Sequence, residues 1–304
     1  MTSTSAFIAI VGRPNVGKSS LMNKLLGSKV AIVSDKPQTT RTRIMGVLTE
    51  NECQLVFIDT PGLFKPRNKL GESMVKAVDD SVGDVDACVL VVDAAAMHKD
   101  LSPAPAEAEL IERFKTKKIK AVLAINKIDL VEDKTRLLEI IAAYSRLYDF
   151  DVVVPISAQK GEGVDALKGE IKKFAQEGPH FFADDSLTDQ TERTIASEII
   201  REKLLRSLNK EVPHGIAVGI EKFSDAKTNA GEDIIDIEAV IYCEAESHKG
   251  IIIGKGGSML KRVSSHARQD MERFFGCKVN LRCWVKVKED WRNRQGLIHN
   301  FGLD

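Results

Sequence analysis

Short apolar runs alternate with longer stretches of helical periodicity through the first part of the chain. The runs are Phe7–Val11, Gln54–Ile58, Cys88–Val92, Ala121–Ile125 and Val152–Ile156. A strand that is apolar on both faces needs cover on both, which is the situation of a parallel sheet under helices. Helical segments such as Leu137–Leu147 lie between the runs. This rhythm predicts an α/β, doubly wound domain, with the informative residues just after the carboxyl ends of the strands.

The pattern changes after Gly178-Pro179-His180, which breaks the last helix of that domain. Asp189-x-x-Glu192 reads as a capping-box start. A helix then carries Ile195, Ile199, Ile200, Leu204 and Leu208 on one face. Gly215–Ile220 and Ile234–Tyr242 read as two strands of a hairpin joined by the charged loop Ser224–Asp233. A short helix, a Gly-rich turn, a helix over Ser258–Phe275 and an alternating strand over Val279–Val287 follow. The expected organisation is a domain over residues 1–178, a linker over 179–189, and a smaller α+β domain with a C-terminal tail over 190–304.

The chain has 304 residues, 43% hydrophobic and 29% charged, with 44 Lys+Arg against 44 Asp+Glu. Neutrality excludes a uniformly basic nucleic-acid coat protein, but it hides a local contrast. Residues 249–294 carry 12 basic against 4 acidic side chains, and the stretch before them is acidic. One basic face is therefore available to a polyanion. The five cysteines are widely spaced and contain no Cys-x-x-Cys, which fits free thiols in a reducing cytoplasm rather than disulfides or zinc. No N-terminal signal is visible, and the apolar run before Asp93 is far too short to span a membrane.

The segment Gly12-Arg13-Pro14-Asn15-Val16-Gly17-Lys18-Ser19 matches G-x-x-x-x-G-K-[ST] between a strand and the helical stretch from Ser20. Its glycines let backbone N–H groups from Asn15, Val16, Gly17, Lys18, Ser19 and Ser20 turn towards phosphate oxygens at a helix N-terminus. Lys18 supplies a cation to the β- and γ-phosphates, and Ser19 a hydroxyl to Mg²⁺. Asp59-Thr60-Pro61-Gly62 follows the second run: Asp59 can hold Mg²⁺ through water, and the Gly62 N–H can meet the γ-phosphate. Asn126-Lys127-Ile128-Asp129 follows the fourth. A carboxylate at Asp129 can accept both the ring N–H and the exocyclic amine of guanine, which adenine cannot offer, so the site selects GTP. Ser157-Ala158 follows the fifth, where the Ala158 N–H can reach the guanine oxygen. Thr39-Thr40-Arg41 can bring a threonine hydroxyl to Mg²⁺. Lys18, Thr40 and Gly62 are the candidate catalytic set.

Five motifs in this order resemble the translation-factor-like GTPases, and within them closely the Era family. The resemblance rests on GRPNVGKS, PQTTR, DTPG, NKID and SA, and extends over nearly the whole chain. It implies an enzyme hydrolysing GTP to GDP and phosphate. Leu63 stands where other GTPases carry a catalytic glutamine, so intrinsic hydrolysis is expected to be slow. It further implies that Asn15 holds a potassium ion beside the phosphates and that Thr40 is the Mg²⁺ ligand of the switch, with Thr39 the alternative.

Gly254-Lys255-Gly256-Gly257 forms a Gly-x-x-Gly loop between two helices, of the kind that clamps a nucleic-acid backbone in KH domains. Lys249, Ile252, Gly254, Lys255, Gly256, Gly257, Lys261 and Arg262 are the candidate RNA contacts. Trp284 and Trp291 could stack bases or belong to the core. The resemblance implies that the KH domain holds 16S rRNA near its 3′ end and that the protein assists maturation of the 30S ribosomal subunit. It also implies a cytoplasmic monomer with peripheral contact at the inner membrane. A membrane adaptor is the rival reading, but no amphipathic anchor or lipidation motif appears. A P-loop metabolic kinase is disfavoured by the guanine-selecting Asp129.

Overall fold

The computed structural model of the chain describes residues 2–303 apart from 64–65, 84, 98–99, 209–211 and 228–230. The chain divides into two compact units. One comprises Met1–Ala31, Thr40–Pro66 and Met74–Asp189, the other Ile32–Thr39, Arg67–Ser73 and Gln190–Asp304. Two short segments of the N-terminal half thus go with the C-terminal unit, an interleaving that a boundary drawn along the sequence does not contain.

The N-terminal part runs β1 (Thr4–Val11), α1 (Lys18–Leu26), β2 (Ile44–Glu50), β3 (Cys53–Asp59), α2 (Lys69–Gly83), β4 (Ala87–Asp93), α3 (Pro105–Lys117), β5 (Ala121–Asn126), α4 (Thr135–Ser145), β6 (Val152–Pro155), α5 (Val164–Lys172) and β7 (Gln176–Glu177). The sheet order is β2-β3-β1-β4-β5-β6, with β7 paired to the start of β1. The five predicted strands lie parallel to one another. β2 adds an antiparallel edge. The apolar runs feed two cores. Ile8, Ile10, Leu55 and Phe57 pack with Leu21 and Met22 of α1 and Leu167 and Ile171 of α5. Ala9, Val11, Leu90 and Leu123 pack with Val78, Leu110, Phe114, Ile140 and Tyr144 from α2, α3 and α4. Cover on both faces is the reason the runs lack a polar alternation.

Residues 179–189, expected to be a linker, are laid along the sheet edge. The Gln54 carboxamide accepts from the N–H groups of Phe181 and Phe182 at 2.8 and 3.0 Å, and the Phe181 ring lies 4.5 Å from that of Phe7. Thr188 Oγ1 donates to the Met45 carbonyl at 2.7 Å. The fully buried Gln54 and the open edge of β2 both require polar partners, and this segment supplies them. Asp189 is used in the same way: its carboxylate accepts from the Met45 N–H at 3.2 Å. It is therefore not the helix cap expected from the sequence.

The second unit contains α6 (Glu192–Ser207), β8 (Ala217–Lys227), β9 (Asp233–Cys243), α7 (Glu246–Ile253), α8 (Ser258–Phe275), β10 (Lys278–Val287) and α9 (Gln295–Asn300). Thr191 caps α6, its hydroxyl accepting from the Thr194 N–H at 3.2 Å. β8 and β9 are antiparallel, and β10 lies parallel to β9. α6 and α8 cover one face of this sheet, burying Ile195, Ile199, Ile200, Leu204, Val263, Ala267 and Met271 against Ile237, Ala239 and Ile241. The ladder runs on to Lys227↔Asp233, so much of the expected loop Ser224–Asp233 is strand. Its residues 228–230 lie outside the described residues.

α6 also buries Arg201 and Glu202, against the usual rule for charged side chains. The segment Ile32–Thr39 of the same unit explains this. Glu202 accepts from the Val33 N–H at 3.0 Å, Arg206 donates to the Val33 carbonyl at 2.8 Å, and Arg201 donates to the Thr39 carbonyl. Among the described residues no helix is long and apolar enough to cross a membrane, and the five cysteines are free.

Candidate functional site

The glycines of the loop after β1 are demanded by geometry. Gly17 has φ 101°, and a Cβ there would stand 2.3 Å from the Asn126 amide nitrogen. The loop opens directly into α1, so the first N–H groups of that helix lack intrahelical partners. Lys18 is buried and donates to the carbonyls of Gly12 and Arg13, at 3.1 Å each. Burial pulls its ammonium down to about 8, with the nearby Asp59 carboxylate pushing it back up. Burial likewise raises Asp59, opposed by Lys18, the hydroxyls of Ser19 and Thr40 and the Thr60 N–H. Burial thus disfavours the charged form of both, which an anion beside Lys18 and a cation beside Asp59 would restore.

Three oxygen-bearing side chains converge there. Ser19 Oγ lies 2.6 Å from Asp59 Oδ2 and 2.9 Å from Thr40 Oγ1, and Thr40 Oγ1 is 3.2 Å from the same carboxylate oxygen. Asp59 Oδ1 is buried and has no hydrogen-bond partner among the described residues. An orphaned carboxylate oxygen beside two hydroxyls is hard oxygen chemistry that fits Mg²⁺. Thr39 is turned elsewhere, its hydroxyl on Ser34 Oγ and the Lys36 carbonyl, both at 2.7 Å. Gly62 lies flat against the phosphate loop: a Cβ on it would be 2.5 Å from the Pro14 nitrogen. Its neighbour Leu63 is buried and donates its N–H to the Gly12 carbonyl at 3.3 Å.

The base motif is wired into the same loop. Asn126 Nδ2 donates to the Val16 carbonyl at 2.7 Å, and Lys127 Nζ to the Asn15 carbonyl at 2.9 Å and to Asp93 Oδ2 at 2.6 Å. The Ala158 N–H, expected to face a guanine oxygen, donates instead to Asn126 Oδ1 at 2.9 Å. Ser157 is buried and accepts from the Lys160 N–H at 3.1 Å. Asp129 sits in the 3₁₀ turn Ile128–Leu130, half-buried, with no hydrogen bond or ion pair among the described residues. Asn15 is exposed in left-handed backbone at φ 64°. Neither Asp93 nor the carboxylate of Glu107, 3.0 Å from Arg13, carries a sequence signal of its own.

The second candidate site lies between α7 and α8. Gly254, Gly256 and Gly257 all have positive φ, and Lys255 and Gly256 are exposed at the turn. Lys261 and Arg262 are exposed on the first turns of α8, and Lys249 is half-buried with Glu246 3.6 Å away. Ile252, expected to contact RNA, is fully buried in the α6–α8 core. It lies on the inner side of α7, while its neighbour Ile251 is 50% exposed. The tryptophans divide in the same way. Trp291 is buried, with Nε1 donating to the Gly215 carbonyl at 2.9 Å, whereas Trp284 is 43% exposed on β10.

A Walker loop, an Asp-x-x-Gly and an Asn-Lys-x-Asp around one doubly wound sheet define a P-loop GTPase. The α-β-β-α-α-β unit around the Gly-x-x-Gly loop defines a KH domain. Residues 7–127 match the family model described as a 50S ribosome-binding GTPase, and residues 211–292 match that of the KH domain. GTPase Era of Clostridioides difficile is 50% identical over 300 residues, covering 99% of this chain and 98% of that one. GTPase Era of Alkaliphilus metalliredigens is 46% identical over the full length of both. A crystal structure of an Aquifex aeolicus Era variant bound to GDP·AlF₄⁻ and one of Era in complex with MgGDPNP and nucleotides 1506–1542 of 16S ribosomal RNA each superpose with a TM-score of 0.93. Both are 38% identical, with 99% of each chain covered. The chain belongs to the Era family of GTPases and is an enzyme of GTP hydrolysis joined to a KH domain.

Proposed function

We propose that this GTPase holds the 3′-end region of 16S rRNA through its KH domain and assists maturation of the 30S subunit. The observation that carries the reading is the exposed Gly254–Gly257 turn, with Lys255, Lys261 and Arg262 around it, in a chain that also bears a complete set of guanine-nucleotide motifs. The RNA-bound Era structure, similar over 99% of both chains, supports the same assignment. The Gly254–Gly257 backbone takes RNA phosphates, and the basic side chains add the counter-charge. That substrate puts the protein in the cytoplasm; we take it to act as a monomer, with any contact at the inner membrane peripheral and made by the basic face.

In the nucleotide site, Lys18 and the loop N–H groups bind the phosphates, the Gly62 N–H meets the γ-phosphate, and Asp129 accepts from guanine. Ser19, Thr40 and Asp59 hold Mg²⁺, which when bound neutralises phosphate charge. Buried Leu63 cannot orient water by hydrogen bonding. Transition-state charge is therefore left to the loop donors, and turnover is slow. In-cell crosslinking followed by sequencing of the bound RNA tests the assignment. A peak at the small-subunit rRNA 3′ end is expected; a diffuse profile would favour the membrane adaptor.

Asn15 brings an amide-bearing side chain to an exposed point of the loop, which suits a weakly held monovalent cation. Hydrolysis is expected to run faster in potassium than in sodium at equal ionic strength, by less than the roughly 10³–10⁵-fold of an arginine finger. Asn15→Ala should flatten the difference while GTP binding survives. Single-turnover hydrolysis in matched salts measures both, and equal wild-type rates would remove the cation from the reading.

A further inference from the structure

The phosphate loop turns through positive φ at three positions, 149° at Gly12, 64° at Asn15 and 101° at Gly17. Glycine enters this region freely and does not itself fix the loop's shape, so the shape must be held by contacts from outside. Two restraints come from the base motif, through Asn126 on the Val16 carbonyl and Lys127 on the Asn15 carbonyl. The beginning of the loop is held from a different place. Arg13 Nε lies 3.0 Å from Glu107 Oε1, in the first turn of α3.

Glu107 is 1% exposed. Its second oxygen, Oε2, accepts from the Tyr144 hydroxyl of α4 at 2.7 Å and from the Ala104 N–H at 3.0 Å. The carboxylate is thus fixed by two helices and presents Oε1 to the loop. Oε1 and Arg13 Nε are both buried, and neither has a hydrogen-bond partner in good geometry among the described residues; they meet as an ion pair. A buried carboxylate is costly unless it is paired. Capping α3 does not require a charge here, since a capping box takes glutamine as well as glutamate at this position to accept from the N-cap N–H. The feature that does require a negative charge at this point is Arg13.

We propose that Glu107 is a positioning residue for GTP binding: through Arg13 it fixes the start of the phosphate loop before nucleotide arrives. This rests on the reading of residues 12–19 as the phosphate site. The Gly12 and Arg13 carbonyls that Lys18 engages belong to the stretch so held. A pre-set loop spends less binding energy on ordering itself. GDP and GTP share the phosphates that such a loop cradles, so both lose affinity when the anchor is cut. Turnover at saturating GTP changes little.

The test titrates fluorescent GDP and GTP analogues into the full chain carrying Glu107→Gln, Arg13→Gln, both together, or Tyr144→Phe, with thermal melting on the same preparations. Glu107→Gln keeps the shape and can still accept from Tyr144. Each of the first two changes is expected to weaken both nucleotides by about tenfold, the scale of a lost charged contact. The double variant should be no weaker than either single one, since the two residues act as a unit. Tyr144→Phe leaves the ion pair in place, so it should lower the melting temperature with affinity within about twofold of wild type. Multiplying losses in the double variant, an equal loss in Tyr144→Phe, or unchanged affinity in Glu107→Gln would each overturn the anchor. Failure of the wild type to bind guanine nucleotides would instead remove the phosphate-site reading.

Discussion

Gly256→Asp is expected to abolish RNA binding while GTP hydrolysis by the isolated protein continues at the wild-type rate. The choice of glycine matters. Gly254 has φ 73° and ψ 173°, and a Cβ there would lie 2.7 Å from the Met259 Cβ, so substitution at that position would deform the start of α8. Gly256 has φ 58° and ψ 26°, with nothing within 4 Å of an added Cβ. Aspartate is among the residues that enter this left-handed region most readily. The variant should therefore fold, and its carboxylate should stand at the tip of the turn where an RNA phosphate must approach. It repels that phosphate, offsets the charge of Lys255 and bars close backbone contact. Filter binding with a 16S rRNA 3′-end fragment and phosphate release, on one preparation, read the two halves separately. Full RNA affinity would contradict the clamp. Loss of hydrolysis would mean that the turn is coupled to the nucleotide site.

Asp129→Asn is expected to weaken GTP by about tenfold or more and to shift preference towards xanthosine triphosphate. Asn126 and Lys127 are spent on the phosphate loop, whereas Asp129 has no hydrogen bond or ion pair among the described residues. Its carboxylate is open to accept the ring N–H and exocyclic amine of guanine. An amide offers one acceptor and one donor, and the donor matches the carbonyl that xanthine has in place of the amine. Losing a hydrogen bond to a charged group costs about 1.5–3 kcal/mol. Since Asp129 makes no hydrogen bond or ion pair among the described residues, the melting temperature of the nucleotide-free protein should hardly move. Competition binding with the two nucleotides decides the matter, and an unchanged preference for GTP would take Asp129 out of the base site.

Much of the molecule follows from the linear sequence because it depends on local chemistry. A run such as Cys88–Val92 is a buried strand in almost any packing, since nothing in it tolerates water. A loop that must turn N–H groups inward needs glycine at fixed spacing, so Gly12–Ser19 and Gly254–Gly257 identify themselves. The order of the five nucleotide motifs along the strands is of the same kind. The structure decided what depends on partners distant in sequence. β2 has a mixed pattern because it is an antiparallel edge whose burial is set by β3. Residues 179–189 look like a linker because their partners, Gln54 of β3 and Met45 of the edge strand β2, lie far away in the sequence. Among Ile251, Ile252 and Ile253 only the helical phase against the α6–α8 core picks the buried one, and it picks Ile252. Trp291 is core and Trp284 is surface for the equivalent reason. Arg201 and Glu202 carry no local signal of burial, which is set by Val33 and Thr39 from a distant segment. Glu107 reads as an ordinary first-turn acid of α3 until folding brings Arg13 to 3.0 Å. Backbone preference and hydrophobic content are properties of a few neighbouring residues, whereas the pairing of a buried polar group is settled only when distant segments meet.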